Sequence, residues 1–456
     1  MHEHLVTTTP GLAMRIRTRG RRQAFTCSTS LAVSVSMLAA AFFPAEAAPG
    51  PIGTSQTGRY FVDANGGPFY FLADTQWELF RRYSLTDAKL ILENRKAKGF
   101  TVIMVMLTGV GDGTGPNLDG QRPWLNDNPA TPNPGYFSNV DAVVKLALAT
   151  DIHLLIGIYH QTFGKRMTVD NARAWAAWVT GRYRNYPNIL WTIYPKATDD
   201  SRAIVSKLAE GINAGDGGKH LVSMHPDPSP ASSSFLHAEP WLGFNSIQVW
   251  NQIDSIYPMT LADYSRTPAK PVTMLEGVYE SGEEYGYPIT PLLVRREAYY
   301  TCLAGGFHGY GHNDSWRVKA RWRAALDDPG AQQMTILKSV FTELPNWWTL
   351  VPDQTVLSTG GKTTGDVLNL SARSTTGKWI VAYIAEQPDI TVNMSKITAA
   401  NAASAKWVNP ATGSYEIVGT YPASGSRSFR RPLGWQDAVL VVTSETSRQH
   451  GSALAN

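Results

Sequence analysis

Between residues 70 and 310 the chain alternates short apolar runs with stretches of helical period, and that rhythm most limits its fold. The runs lie at 70–73, 101–107, 154–158, 189–194, 221–224, 246–250, 272–275 and 306–310. The second, TVIMVML, has no polar alternation, so both of its faces must be covered. Between the runs, 85–98, 140–149, 171–186 and 202–213 space their apolar residues as helices do. Continuous apolar strands separated by helices indicate a parallel sheet, and eight of them close most economically as a (β/α)8 TIM barrel. Upstream, RYFVDANGGPFYFLA at 59–73 reads as a hairpin turning at Asn65-Gly66-Gly67 and running into the first strand.

One long Gly-, Pro-, Asn- and Asp-rich insertion at 108–135 interrupts the barrel and predicts a lid or a substrate wall. From residue 352 the helical period disappears. Short strands at 379–385, 405–408, 415–419 and 438–443 follow one another between turns, which predicts a small antiparallel β-sandwich. The expected fold class is therefore α/β, a (β/α)8 TIM barrel followed by a β-sandwich domain. The barrel is assigned to 48–350 and the sandwich to 351–456.

Residues 1–47 read as a signal peptide. Five arginines between Arg15 and Arg22 precede an apolar stretch at 31–43, and Ala45-Glu46-Ala47 has the small-x-small pattern of a cleavage site. The Arg21-Arg22 pair leaves both the general and the twin-arginine export routes open. The expected location is secreted or periplasmic. Without this segment the formal charge falls from +4 to +1, because five arginines and two glutamates leave with it. That balance offers nothing to nucleic acid, and no stretch reaches the ~20 apolar residues of a membrane span. Cys27 leaves with the signal and Cys302 stands alone, so no internal disulfide is expected.

In such a barrel the chemistry sits just past the carboxyl ends of the strands. There the sequence places Asp74 and Trp77 after the first strand, and His160 after the third. Tyr194, Lys196, Asp199 and Asp200 follow the fourth, and His225 and Asp227 the fifth. Gln248 and Trp250 end the sixth, Glu276, Tyr279 and Glu280 follow the seventh, and His312, Asn313 and Trp316 the eighth. A lone Asp or His in a loop is more often a satisfied structural residue than a catalyst; convergence on one face argues for function. Carboxylates, amides, histidines and indoles together suit a sugar cleft, and 14 Trp and 19 Tyr in a chain with few charges fit that reading. No metal-ligand motif, phosphate loop or nucleophile elbow is present, so neither metal nor cofactor is expected.

Five stretches carry a resemblance to a known family. They are FLADTQWELF (71–80), HPDPSPASSSFLHAEPWLGFNSIQ (225–248), KPVTMLEGVYE (270–280), AGGFHGYGHNDSW (304–316) and WVNPATGSY (407–415). Together they resemble the apiosidase-like glycosidases, glycoside hydrolase family 140 and its relatives, whose barrel is joined to a small domain once labelled collagen-binding. The resemblance implies that Glu276 is one of two catalytic carboxylates. It also implies that Asp74, Trp77, His225, His237, Glu239, Gln248 and His312 line or brace the site. The partner carboxylate of the family ends the fourth strand in a segment similar to Trp-x-x-Gly-Gly-Asp. Counted from Trp191, that place is held here by Lys196. The sixth strand also departs, with Val249-Trp250-Asn251 where many relatives have Ser-Gly-His.

The displaced acid leaves three accounts open. Asp199 or Asp200 reaches back into the cleft, since three residues of loop span ~10 Å. Alternatively Asp74 serves, or the barrel binds sugar without cleaving it. A lysine nearby lowers a carboxyl pKa and suits the carboxylate of an acidic sugar, so a lyase-like reaction on an anionic polysaccharide also stays open. The leading expectation is an exported glycoside hydrolase acting on a side chain of a plant or microbial polysaccharide. Glu276 and Asp199 are its candidate catalysts; Asp74, Trp77, His160, Lys196, His225, Gln248, Trp250, Tyr279, His312 and Trp316 are its candidate substrate contacts. The partner is an oligosaccharide or polysaccharide.

Overall fold

The computed structural model describes residues 50–194 and 201–445. The segment read as a signal lies outside these, as do Lys196, Asp199 and Asp200.

Eight parallel strands form the centre. They are β1 Leu72–Thr75, β2 Val102–Met106, β3 His153–His160 and β4 Ile189–Tyr194, then β5 Val222–Met224, β6 Asn245–Gln248, β7 Val272–Glu276 and β8 Phe307–Gly311. Ladders join β1 through β5 in turn, β6 through β8 in turn, and β8 to β1. Between β5 and β6 the ring is completed more narrowly. Gly243 N–H donates to the Val222 carbonyl at 2.7 Å, and the hydroxyls of Ser223 and Ser246 lie 2.6 Å apart. Every strand residue except His160 is buried, as the unbroken apolar runs require.

The intervening helices begin where their caps dictate. Ser84 accepts the Asp87 N–H at the head of Leu85–Ala97, and Asn133 with Pro134 starts Pro134–Ala149. That helix begins before the expected 140, because Tyr136 and Phe137 are buried on its first turns. Helices Val169–Tyr183 and Arg202–Asp216 approach closely through glycines. A Cβ on Gly211 would meet the Arg173 carbonyl at 2.4 Å, and one on Gly215 the Ala177 carbonyl at 2.3 Å.

The mouth at the amino ends of the strands is plugged. Gly53–Thr54, Phe61–Val62 and Pro68–Phe69 form a small antiparallel sheet. The fully buried Phe61 packs on Phe71, Phe244 and Phe307, with ring centroids 5.2, 5.3 and 5.4 Å away. These three partners sit at the starts of β1, β6 and β8, so access is left to the opposite face.

Beyond Leu350 two antiparallel sheets stack. The larger runs in the order Leu350–Pro352, Asn369–Ser374, Trp379–Ile384, Ala438–Ser444, Ala402–Val408, Tyr415–Pro422. The smaller runs Leu357–Thr359, Asp389–Asn393, Ser426–Arg430. The sandwich meets the helix Pro291–Leu303, which follows β7. The Tyr299 and Tyr383 rings stack at 4.6 Å and 5°. Arg295 forks onto both oxygens of Asp437, each at 2.7 Å, with both side chains buried.

Candidate active site

Three strand ends bring Tyr194, Gln248 and Glu276 together. The Tyr194 hydroxyl, closing β4, lies 2.9 Å from Gln248 Oε1 and 3.0 Å from Glu276 Oε2. A phenol has one proton and cannot donate to both at once. If Tyr194 donates to Gln248, its contact with Glu276 is satisfied when the carboxyl itself carries a proton. His225, after β5, repeats the argument. Its Nδ1 lies 3.1 Å from the Pro226 carbonyl, so Nδ1 carries the hydrogen and Nε2 is bare. That Nε2 is buried, has no well-formed hydrogen bond, and faces Glu276 Oε2 at 3.4 Å.

The electrostatics agree with this proton count. Burial pushes the Glu276 carboxyl up to about 7, although the hydroxyls of Tyr279 and Tyr194 favour its ionised form. Burial also holds His225 down at about 3, so it is neutral beside Glu276. Tyr279 is steadied by Trp77, whose Nε1 donates to its hydroxyl at 3.0 Å.

Aromatic rings enclose this centre. Tyr194 stacks on His225 at 4.0 Å, and Trp77 packs within 5.6 Å of His225 and 6.2 Å of Tyr194. His160 sets its edge on Tyr194 at 4.6 Å and accepts the Thr162 N–H through Nδ1. Trp316 lies 6.3 Å from Tyr279, and Trp250 lies 4.9 Å from Tyr285. Trp250 holds φ at 53°, a left-handed conformation costly for an indole residue, and this bend ends β6 at Gln248 rather than at 250.

Two residues expected at the cleft are braces instead. Asp74 is fully buried and bound to Arg95 Nε at 2.8 Å and to Gln76 Nε2 at 2.7 Å. It is therefore placed neither to touch sugar nor to replace the missing acid. His312, also fully buried, accepts the Asp314 N–H and donates from Nε2 to Asp328 at 2.7 Å. His237 lies near the start of β6, its ring between Asn245 and the Pro268 carbonyl, so it braces the opposite end of the barrel. Glu239 lies beyond it and pairs with Arg202. Tyr194 was legible only as a residue closing the fourth strand, and Arg95 was not singled out from the sequence. Arg95 shares the 88, 91, 92, 95 spacing of the buried helix face, and that was its signal. Among the described residues no cluster of ligands suits a metal ion.

Residues 55–349 match the family model described as "Apiosidase-like, catalytic domain". The chain belongs to that family. Residues 351–443 match a second model, "Putative collagen-binding domain of a collagenase". A solved structure titled "Glycoside hydrolase" is similar at 27% identity and TM-score 0.79, covering 87% of this chain and 97% of its own. A glycoside hydrolase family 5 structure from Bacteroides vulgatus ATCC 8482 is similar at 26% identity and TM-score 0.79, over 87% and 94% of the two chains. No curated protein matches the chain in sequence. No helix among the described residues is long and apolar enough to cross a membrane.

Proposed function

We propose that Glu276 is one of the two carboxyl groups with which this glycosidase cleaves a sugar–oxygen bond. One observation carries the reading: a buried carboxyl at the end of β7, faced by the Tyr194 hydroxyl at 3.0 Å and by a bare imidazole nitrogen at 3.4 Å. Glycosidases need one carboxyl protonated and one ionised. A group pushed up to about 7 keeps its proton into the neutral range and suits delivery of that proton to the leaving oxygen. Trp77, Tyr279, His160, Trp250 and Trp316 supply the flat faces and polar edges on which sugar rings rest. The substrate is a side chain of a plant or microbial polysaccharide, met outside the cytoplasm after residues 1–47 have directed export.

The test is Glu276→Gln, assayed by release of reducing ends from a pool of plant-wall oligosaccharides. Turnover falls by at least ~100-fold while the melting temperature at pH 5 and sugar binding persist, the lower range for acid–base groups. A variant that keeps most of its turnover removes Glu276 from the mechanism.

A further inference from the structure

The larger sheet of the sandwich turns one face to the barrel, where the helix Pro329–Thr342 covers it only in part. Between sheet and helix lies a cleft of about 550 Å³. Its floor is apolar: Val340 and Leu344 come from the helix and its end, Val408 and Val441 from the sheet, and all four are buried. Its rim is polar, with Ser339 and Glu343 on the helix side and Lys406 and Thr443 on the sheet side. Tyr415 forms one wall, with the Lys406 ammonium 5.5 Å from its ring centroid.

The strand register shows what this wall belongs to. Tyr415 stands opposite Val408, and Lys406 stands opposite both Ile417 and Val441. Residues directly opposite one another share a face. Tyr415 and Ile417 therefore continue the barrel-facing side of the sheet, yet burial stops short of them. Val408 and Val441 are 7% and 4% exposed, whereas Tyr415 and Ile417 are 63% and 77% exposed. Their strand, Tyr415–Pro422, is the last of its sheet and projects past the helix. Large apolar side chains gathered on such an overhang mark a binding surface.

The chemistry of the cleft selects its occupant. One carboxylate and one ammonium leave the rim without net charge, so it favours neither an anionic nor a cationic chain. Sugar hydroxyls both donate and accept, and can satisfy the carboxylate, the ammonium and the two side-chain hydroxyls together. The C–H face of a sugar ring suits a phenol ring beside an aliphatic floor. The volume lies within the ordinary range of small-ligand sites. The helix fixes where this cleft is. It begins near the catalytic face, where Gly330 N–H donates to Glu280, and Lys338 reaches the Gly99 carbonyl ahead of β2. The cleft is thus toward the opposite end of the barrel from Glu276.

We propose that this seam between barrel and sandwich is a second carbohydrate site, which tethers a neutral stretch of the polysaccharide while the barrel acts on another part of it. The proposal rests on the chain being a glycosidase, but not on the role of Glu276.

The experiment runs Glu276→Gln through native gels containing xylan, arabinan or galactomannan, alone and combined with Tyr415→Ala or Ser339→Trp. At least one polymer is expected to retard Glu276→Gln. Tyr415→Ala removes the wall and Ser339→Trp fills the cleft. Both positions are exposed, so each variant is expected to weaken retardation about tenfold with an unchanged melting temperature. In the otherwise wild-type chain, Tyr415→Ala should raise KM on that polymer and leave turnover of its short oligosaccharides as it was. Retardation that survives both variants, or that no gel shows, overturns the proposal. So does binding to a collagen-coated resin, or a dimer in sedimentation, that Tyr415→Ala abolishes while sugar retardation stays: the surface then belongs to a protein partner or to a second copy. If Glu276→Gln proves active, the reading of Glu276 falls, and the gels still decide this site because they measure binding alone.

Discussion

At the scale of single residues, the raised carboxyl of Glu276 has a consequence for stability as well as for turnover. Its folded pKa, about 7, lies above the value of an unfolded glutamate, so between those two the native state holds more protons. Stability from this group is intact below the unfolded value and is lost as pH rises through about 7. Glu276→Gln cannot ionise and escapes that loss. The expected outcome is a variant whose melting temperature matches wild type at pH 4 and exceeds it by several degrees at pH 8. A gap that is constant with pH would place the titration elsewhere. Asp74 and Arg95 make a second case. Both are fully buried, and removing one partner strands the other, which costs roughly 3–5 kcal/mol. Arg95→Met should therefore lower the melting temperature far more than the exposed Arg323→Met, read by thermal denaturation. Asp74 was legible as a polar strand-end residue but not as a brace. A residue's place after a strand says which face it is on, whereas its partner here comes from a helix 21 positions away.

At the scale of elements, the eight strands were legible because burial on both faces leaves continuous apolar runs. Their ends were less so. The sixth was expected to include Trp250, and apolarity alone could not show that the backbone there turns left-handed. The helix starting at Pro134 was signalled by Asn133-Pro134, a cap pattern that the apolar spacing from 140 onward overrode. The contact between helices Val169–Tyr183 and Arg202–Asp216 was not legible, since glycine in a helix ordinarily reads as a weakness. Here it permits approach. A side chain at Gly215 would meet the Ala177 carbonyl, the Thr180 hydroxyl and the Gly181 nitrogen, all within 2.7 Å, and two of those are backbone atoms that cannot swing away. Gly215→Val should destabilise despite removing a poor helix former. A melting temperature equal to or above wild type would show that the helices part freely.

At the scale of the whole molecule, the chain runs from barrel to sandwich through an apolar stretch that holds Leu344, Trp347 and Trp348. Leu344 is buried, and Trp347 covers the plugged base beside Tyr60, Tyr70 and Phe307. The sequence did not disclose the polar part of the contact. Arg295 and Asp437 lie 142 positions apart, and nothing local marks them as partners. Their helix also matters to the site: Pro291–Leu303 carries Glu297, which accepts the Val278 N–H just beyond Glu276. Truncation after Leu350 would remove Asp437 from Arg295 and bare the faces of Tyr299 and Tyr300, now wholly buried. It would also remove Leu368, whose N–H donates to the Tyr300 hydroxyl at 2.9 Å. A buried guanidinium without its carboxylate and an exposed aromatic patch both favour aggregation. The barrel alone, residues 48–350, is therefore expected to be insoluble, and Asp437→Asn in the full chain to melt several degrees lower with turnover reduced in step. Expression of the two forms, followed by sedimentation and thermal melts, decides it. A soluble 48–350 barrel with full turnover would mean that the helix holds Glu297, and through it the strand end, without help from the sandwich.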